Sequence, residues 1–229
     1  EYTEGLLLGE DCQALRGEIA AAAAELAPAG VLNSLSQTLL RMTTPGVPDL
    51  YQGADFWDFS LVDPDNRRPV DFAARCSALD LEARPEHLLT QWQDGRIKQW
   101  LIARTLKLRL AQPRLFTEGR YLPLKIAGEH AQCLVAFARE FEGNWLIVVA
   151  ARLAAALLGD SPIPQIAVER WGDTRIQLPD ALNGVPLTRL FDGNTVTPKQ
   201  AALHARHALG ALPVGLFQIT INSAGDQQR

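Results

Sequence analysis

The sequence is poor in cysteine: Cys12, Cys76 and Cys133 are odd in number and far apart in a chain of 229 residues. A disulfide framework needs an even set, and a zinc site needs Cys or His ligands at short spacings, so neither organises this chain. Free or buried thiols in a reducing compartment are expected, which places the protein in the cytoplasm. Long apolar runs are also lacking. The longest, residues 145–151 and 153–158, are split by Arg152 and fall short of the roughly 20 residues that cross a bilayer, so no membrane partner is expected. No signal peptide is expected. Positive charge is not in excess, since the formal net charge is −4. That removes the broad basic surface on which nucleic-acid binding rests. A P-loop, a dinucleotide fingerprint and a nucleophile elbow are all missing, and no cofactor or metal is implied. His204 and His207 lie three apart with no further ligand at metal spacing. The first residue is Glu1 rather than methionine, so a processed N-terminus or a piece of a longer protein is expected.

Hydrophobic residues make up 47% of the chain, enough for a packed core. Apolar spacing predicts a helix over 10–26, ended by Pro28 and Gly30, and a second over 31–42 with Leu32, Leu35, Leu39 and Leu40 on one face. Further helices are predicted over 71–81 and 96–112. The latter holds most of a run of six basic residues without an acid, ending at Arg114, and its charges read as a solvated face. After Pro113 the period changes to two. Strands are predicted over 121–126, 133–141, 145–151, 187–191, 195–197 and 214–221, with turns at residues 128–130, 142–144 and 192–194. Helices first and antiparallel strands later give an α+β chain, expected to divide into residues 1–113 and 114–229.

Functional residue types concentrate between Pro45 and Asp71. This window holds six aspartates (49, 55, 58, 63, 65 and 71) and Arg67 and Arg68, so it carries a net charge equal to that of the whole chain. It also holds Tyr51, Gln52, Phe56, Trp57 and Asn66. Carboxylates, amides and guanidinium groups bond hydroxyls in several directions, and aromatic rings offer flat faces to sugar rings. A neutral, hydroxyl-rich ligand suits this set. Alternatively, Asp63-Pro64-Asp65-Asn66 is a simple turn, because these residues fix φ or bond their own backbone. A calcium loop is disfavoured, since the acids lack the alternate spacing and the glycine of that loop.

The run Pro45-Gly46-Val47-Pro48-Asp49-Leu50-Tyr51-Gln52-Gly53 resembles the segment that closes the last strand of the (β/α)8 barrel in the α-amylase superfamily. The continuation from Trp57 to Asp71, with Asp63-Pro64-Asp65-Asn66-Arg67-Arg68-Pro69, is similar to the maltooligosyltrehalose synthases. So are Asn33-Ser34-Leu35-Ser36-Gln37, Asp94-Gly95-Arg96-Ile97-Lys98 and Tyr121-Leu122-Pro123-Leu124. Asp55 departs from that pattern, where glutamate is expected. The resemblance covers the chain from about residue 15 to the last strand.

It implies an α+β fold: the end of a (β/α)8 barrel, with its last strand at 46–51, followed by an antiparallel β-sandwich C-terminal domain. It implies an enzyme, an isomerase that converts the reducing-end α-1,4 linkage of a maltooligosaccharide into an α,α-1,1 linkage. Substrate would be bound by Tyr51, Gln52, Asp63, Asp65, Asn66, Arg67, Arg68 and Asp71. The family's catalytic carboxylates lie on earlier barrel strands that no segment here matches. The chain would then be an inactive piece, partnered by the missing N-terminal part of its own barrel. The alternatives are a related hydrolase or transferase, and a non-catalytic glucan-binding β-module.

Overall fold

A computed structural model of the chain describes residues 2–60, 68–80 and 82–221. The helices are α1 (Tyr2–Leu8), α2 (Gln13–Thr43), α3 (Phe72–Ala78), α4 (Pro85–Thr90), α5 (Arg96–Ala111) and α6 (Pro113–Thr117). Strands follow: β1 (Arg120–Pro123), β2 (Ile126–Ala127), β3 (Leu134–Phe141) and β4 (Asn144–Ala151). Helix α7 (Ala155–Leu158) precedes β5 (Arg175–Gln177), β6 (Leu187–Thr188), β7 (Thr195–Val196), β8 (Ala202–His204), α8 (Ala205–Leu209) and β9 (Val214–Thr220).

The main sheet has the order β1-β3-β4-β9 and is antiparallel throughout. The β3–β4 turn at Glu142-Gly143 has positive φ at both residues, 49° and 79°, the twist that a two-residue hairpin favours. Register sets the two faces. Phe137, Val148 and Leu216 form one row across the sheet, and Ala138, Ile147 and Phe217 form the next, which points the other way. The first face packs on α2 and α5 through Leu35, Leu39, Trp100 and Leu101. The second packs on Ile176, Leu203, Trp171 and Leu187 of the smaller sheets and their connections. Every residue of β4 beyond Asn144 is buried, as a strand covered on both faces must be.

Several expectations are corrected. Pro28 does not end a helix: residues 13–43 form one helix with Pro28 inside it. Proline deprives the carbonyl four residues earlier of its donor, but that residue, Ala24, is exposed, so water can replace the lost bond. Undivided, α2 is long and apolar enough to cross a membrane by length and composition, which the split had concealed. Its apolar residues Val31, Leu35 and Leu39 are packed in the core instead. Segment 46–51 is not a strand. It has no regular structure, with Gly46 at φ +117°, and residues 46–50 make no backbone–backbone hydrogen bond to another described residue; a strand needs neighbours to pair with. The single strand expected over 121–126 is two short ones, in different sheets.

Candidate functional site

The site begins where α2 ends, and two guanidinium groups fix that point. Arg139 of β3, fully buried, donates from Nη1 to the Thr43 carbonyl (3.3 Å) and from Nη2 to the carbonyls of Phe116 (3.0 Å) and Gly119 (2.9 Å). Arg109 of α5 donates to the Met42 carbonyl at 2.6 Å and lies 4.6 Å from the centre of the Phe116 ring. The last carbonyls of a helix lack intrahelical donors and carry the negative end of its dipole, so cations suit them. For Arg109 the expected solvated face is therefore corrected.

The chain then passes through residues 44–60 without regular structure and is held against α3 and α5. Asp55 is the hub. Its Oδ1 accepts from Arg75 Nε at 2.9 Å and its Oδ2 from Gln99 Nε2 at 3.0 Å. Arg75 also donates to the carbonyls of Gly53 (2.9 Å) and Asp71 (3.2 Å), and its guanidinium lies 4.7 Å from the Phe56 ring centre. Gln99 donates to the Arg75 carbonyl at 2.9 Å, closing a ring of contacts between loop, α3 and α5. Lys98 donates to the Phe56 carbonyl at 3.1 Å and lies 5.8 Å from the Trp57 ring centre. Burial holds its amine below the ordinary lysine range, and Arg41 adds to that effect. Trp57 Nε1 donates to the Trp92 carbonyl at 2.6 Å. Gly95 opens α5 at φ +80°, where a Cβ would lie 3.1 Å from Phe56 Cβ and from the Trp57 nitrogen. Glycine there lets the loop rest on the start of the helix.

Above this platform is an open cleft of about 400 Å³, lined among others by Gln52, Trp57, Asp58, Arg68, Asp71 and Arg75. Four of the expected site residues fall here. Gln52, Arg68 and Asp71 line the cleft, and exposed Tyr51 lines an adjoining groove shared with Gln52. Asp63, Asp65, Asn66 and Arg67 lie outside the described residues. Arg75, Gln99 and Lys98 lie outside the set of site residues expected from the sequence. The four-residue spacing from Asp71 to Arg75 in a predicted helix was the one available signal.

Each described carboxylate of the cleft has a task. Asp55 is committed to Arg75 and Gln99. Asp71 caps α3 by accepting from the Ala74 N–H at 2.9 Å. Asp58 accepts from the Ser60 hydroxyl (2.6 Å) and amide (2.9 Å), which hold it below the usual carboxylate range. A general acid for glycosidic cleavage needs a raised pKa, and Asp58 is shifted the other way. Carboxylates, amides and guanidinium groups of this kind can bond hydroxyl groups.

No family model matches the sequence. Over 166 residues the chain is 36% identical to a Mycobacterium tuberculosis H37Rv protein named, as a provisional assignment, maltooligosyl trehalose synthase. The match covers 72% of this chain and 19% of that protein. The maltooligosyltrehalose synthase of Arthrobacter ramosus superposes with a TM-score of 0.62 at 30% identity, covering 96% of this chain and 25% of the other. This chain is homologous to part of the maltooligosyltrehalose synthases. It spans about a fifth of the curated relative and a quarter of the solved one. An Anoxybacillus α-amylase shares the fold, with a TM-score of 0.52 at 16% identity over 84% of this chain and 33% of that one. Like the maltooligosyltrehalose synthases, the α-amylase supports the expected α+β class.

Proposed function

We propose that residues 1–113 form the end of a catalytic (β/α)8 barrel and residues 114–229 the β-domain that follows it, within a cytoplasmic enzyme of trehalose biosynthesis. That enzyme converts the α-1,4 linkage at the reducing end of a maltooligosaccharide into an α,α-1,1 linkage by intramolecular transglucosylation, and is an isomerase. The similarity over 166 residues to a protein named for this product carries the reading. The polar, aromatic-floored cleft supports it.

In this reading Gln52, Arg68 and Asp71, with Tyr51 beside them and Asp63, Asp65, Asn66 and Arg67 from the intervening sequence, hold the glucose released at the reducing end. A retaining mechanism needs two carboxyl groups about 5–5.5 Å apart. The described cleft carboxylates are otherwise engaged, so that pair is supplied by earlier barrel strands, and the 229-residue chain alone is inactive. The released glucose must turn and attack through its anomeric hydroxyl before water does, which requires a closed and well-bonded pocket.

The test is a chimera in which this chain replaces the matching quarter of the Arthrobacter ramosus enzyme, given maltopentaose and followed by NMR. A non-reducing product with an α,α-1,1 linkage is expected. Free glucose with new reducing ends would favour a hydrolase, and a trehalosyl product from the isolated chain would overturn the assignment of the catalytic groups.

A further inference from the structure

Two buried donors of α5, one helical turn apart, have no acceptor among the described residues: the Trp100 indole nitrogen and Arg104 Nε. Buried N–H groups are almost always paired, and leaving one unpaired costs free energy, so each marks a place where an acceptor is missing. The two belong to one assembly. The Arg104 guanidinium lies 5.2 Å from the centre of the Trp100 ring, and Phe191, in the β6–β7 connection, packs on that ring at 5.6 Å. Each donor residue borders a hollow. Trp100 lines one of about 130 Å³. Arg104 lines one of about 610 Å³, between the start of α4 and the β6–β7 connection. Ala83 stands on the walls of both, and neither shares a residue with the polar cleft.

The walls also hold groups with bonding capacity to spare. Glu82, Arg84 and Glu86 line the larger hollow and are exposed, and their side chains make no hydrogen bond or ion pair with any described residue. Asp192, on the same wall, is taken by Arg189. Unmet donors beside free carboxylates select the chemistry of the ligand. An anion would satisfy Trp100 and Arg104 but would face Glu82 and Glu86, and a cation would do the reverse. A hydroxyl group accepts from an N–H and donates to a carboxylate at once, so a neutral polyol meets both sets. We propose that these hollows form a second sugar site, separate from the polar cleft. It takes a neutral glucosyl unit whose oxygens accept from Trp100 Nε1 and Arg104 Nε and whose hydroxyls donate to Glu82 and Glu86. The choice of a glucosyl unit among polyols rests on the proposed function; the unmet donors do not.

The test is an NMR titration of the isotope-labelled chain with maltotriose, and separately with trehalose. The indole N–H resonance of Trp100, identified by its loss in Trp100→Phe, should move saturably, because a new acceptor shifts the indole proton. Arg104→Met should weaken this response about tenfold, as the loss of a hydrogen bond or two predicts. So should Glu82→Ala combined with Glu86→Ala, which changes exposed positions only and keeps the test valid if Arg104→Met unfolds. Arg68→Lys, in the polar cleft, should leave the Trp100 response as it was. A response to maltotriose alone assigns the site to the α-1,4 chain, and a response to trehalose alone assigns it to the α,α-1,1 end. A response abolished by Arg68→Lys would mean a single sugar site and overturn the proposal. Inorganic phosphate moving the resonance, with the same dependence on Arg104, would make it an anion site instead. A resonance that no probe moves would mean that buried water supplies the missing acceptors. Maltotriose bound at Trp100 with no trehalosyl product from the chimera keeps this site and sinks the functional reading; product with a silent Trp100 does the reverse.

Discussion

Asp55 and Arg75, twenty residues apart in sequence, meet at 2.9 Å, and Gln99 closes on the same carboxylate from α5. The pair is partly buried, so its hydrogen bonds count for more than those of an exposed pair. Arg75→Lys keeps the charge but loses the fork that binds Asp55, Gly53 and Asp71 together. Urea unfolding should show a loss of about 1–2 kcal/mol, with faster amide exchange at residues 53–56 and none added in β4. An unchanged midpoint would mean that the loop is held elsewhere.

Arg139 is fully buried and donates to three carbonyls from two separate segments. Arg139→Leu leaves those carbonyls without the donor. The cost should be about 2–4 kcal/mol, seen as a lower denaturation midpoint with an unaltered slope.

Acid stability should depend on Asp192. Burial acts to raise its pKa, but the Arg189 guanidinium, 2.5 Å away, and the Asn194 amide more than offset this, and the value falls below the ordinary 3.8. A carboxylate with a lowered folded pKa stabilises the fold above its unfolded pKa, and the contribution fades as pH falls through the folded value. Asp192→Asn should therefore lower the melting temperature at neutral pH and flatten its decline below about pH 4. Parallel pH curves for parent and variant would remove Asp192 from the account.

The proposed sugar site includes Arg68, which lines the cleft. In the chimera, Arg68→Lys should reduce isomerisation by up to about 100-fold, because lysine cannot reproduce bidentate positioning. It should also raise the share of free glucose, since a looser pocket admits water. If rate and product ratio are both retained, Arg68 does not contact the sugar.

The elements formed by strong periodicity were legible. The continuous apolar run of residues 145–151 and the alternation along 214–221 gave two neighbouring strands of the main sheet, and the apolar rows of residues 96–112 gave α5. What failed depended on context. Proline punctuates a sequence strongly, yet Pro28 sits inside a helix whose neighbouring turn is exposed to water. Segment 46–51 has strand composition but no partner among the described residues, and composition cannot supply one. The acidic window holds Gln52, Arg68 and Asp71, which line the cleft. The residues that shape the cleft beneath them, Arg75, Gln99 and Lys98, stood out less because each looks like an ordinary polar position on a helix until the loop is laid across it.

The alternation of β4 has a further consequence. Leu146, Val148 and Ala150 answer to the helices against which residues 44–60 are held, while Trp145, Ile147 and Val149 answer to the small sheets behind. One strand thus reports on two neighbourhoods, and adjacent positions along it are unequal listeners. Shaving a methyl from Val148 disturbs the floor on which Lys98 and Gln99 stand. The same change at Ile147, one residue earlier, is felt on the far side of the sheet and leaves that floor level.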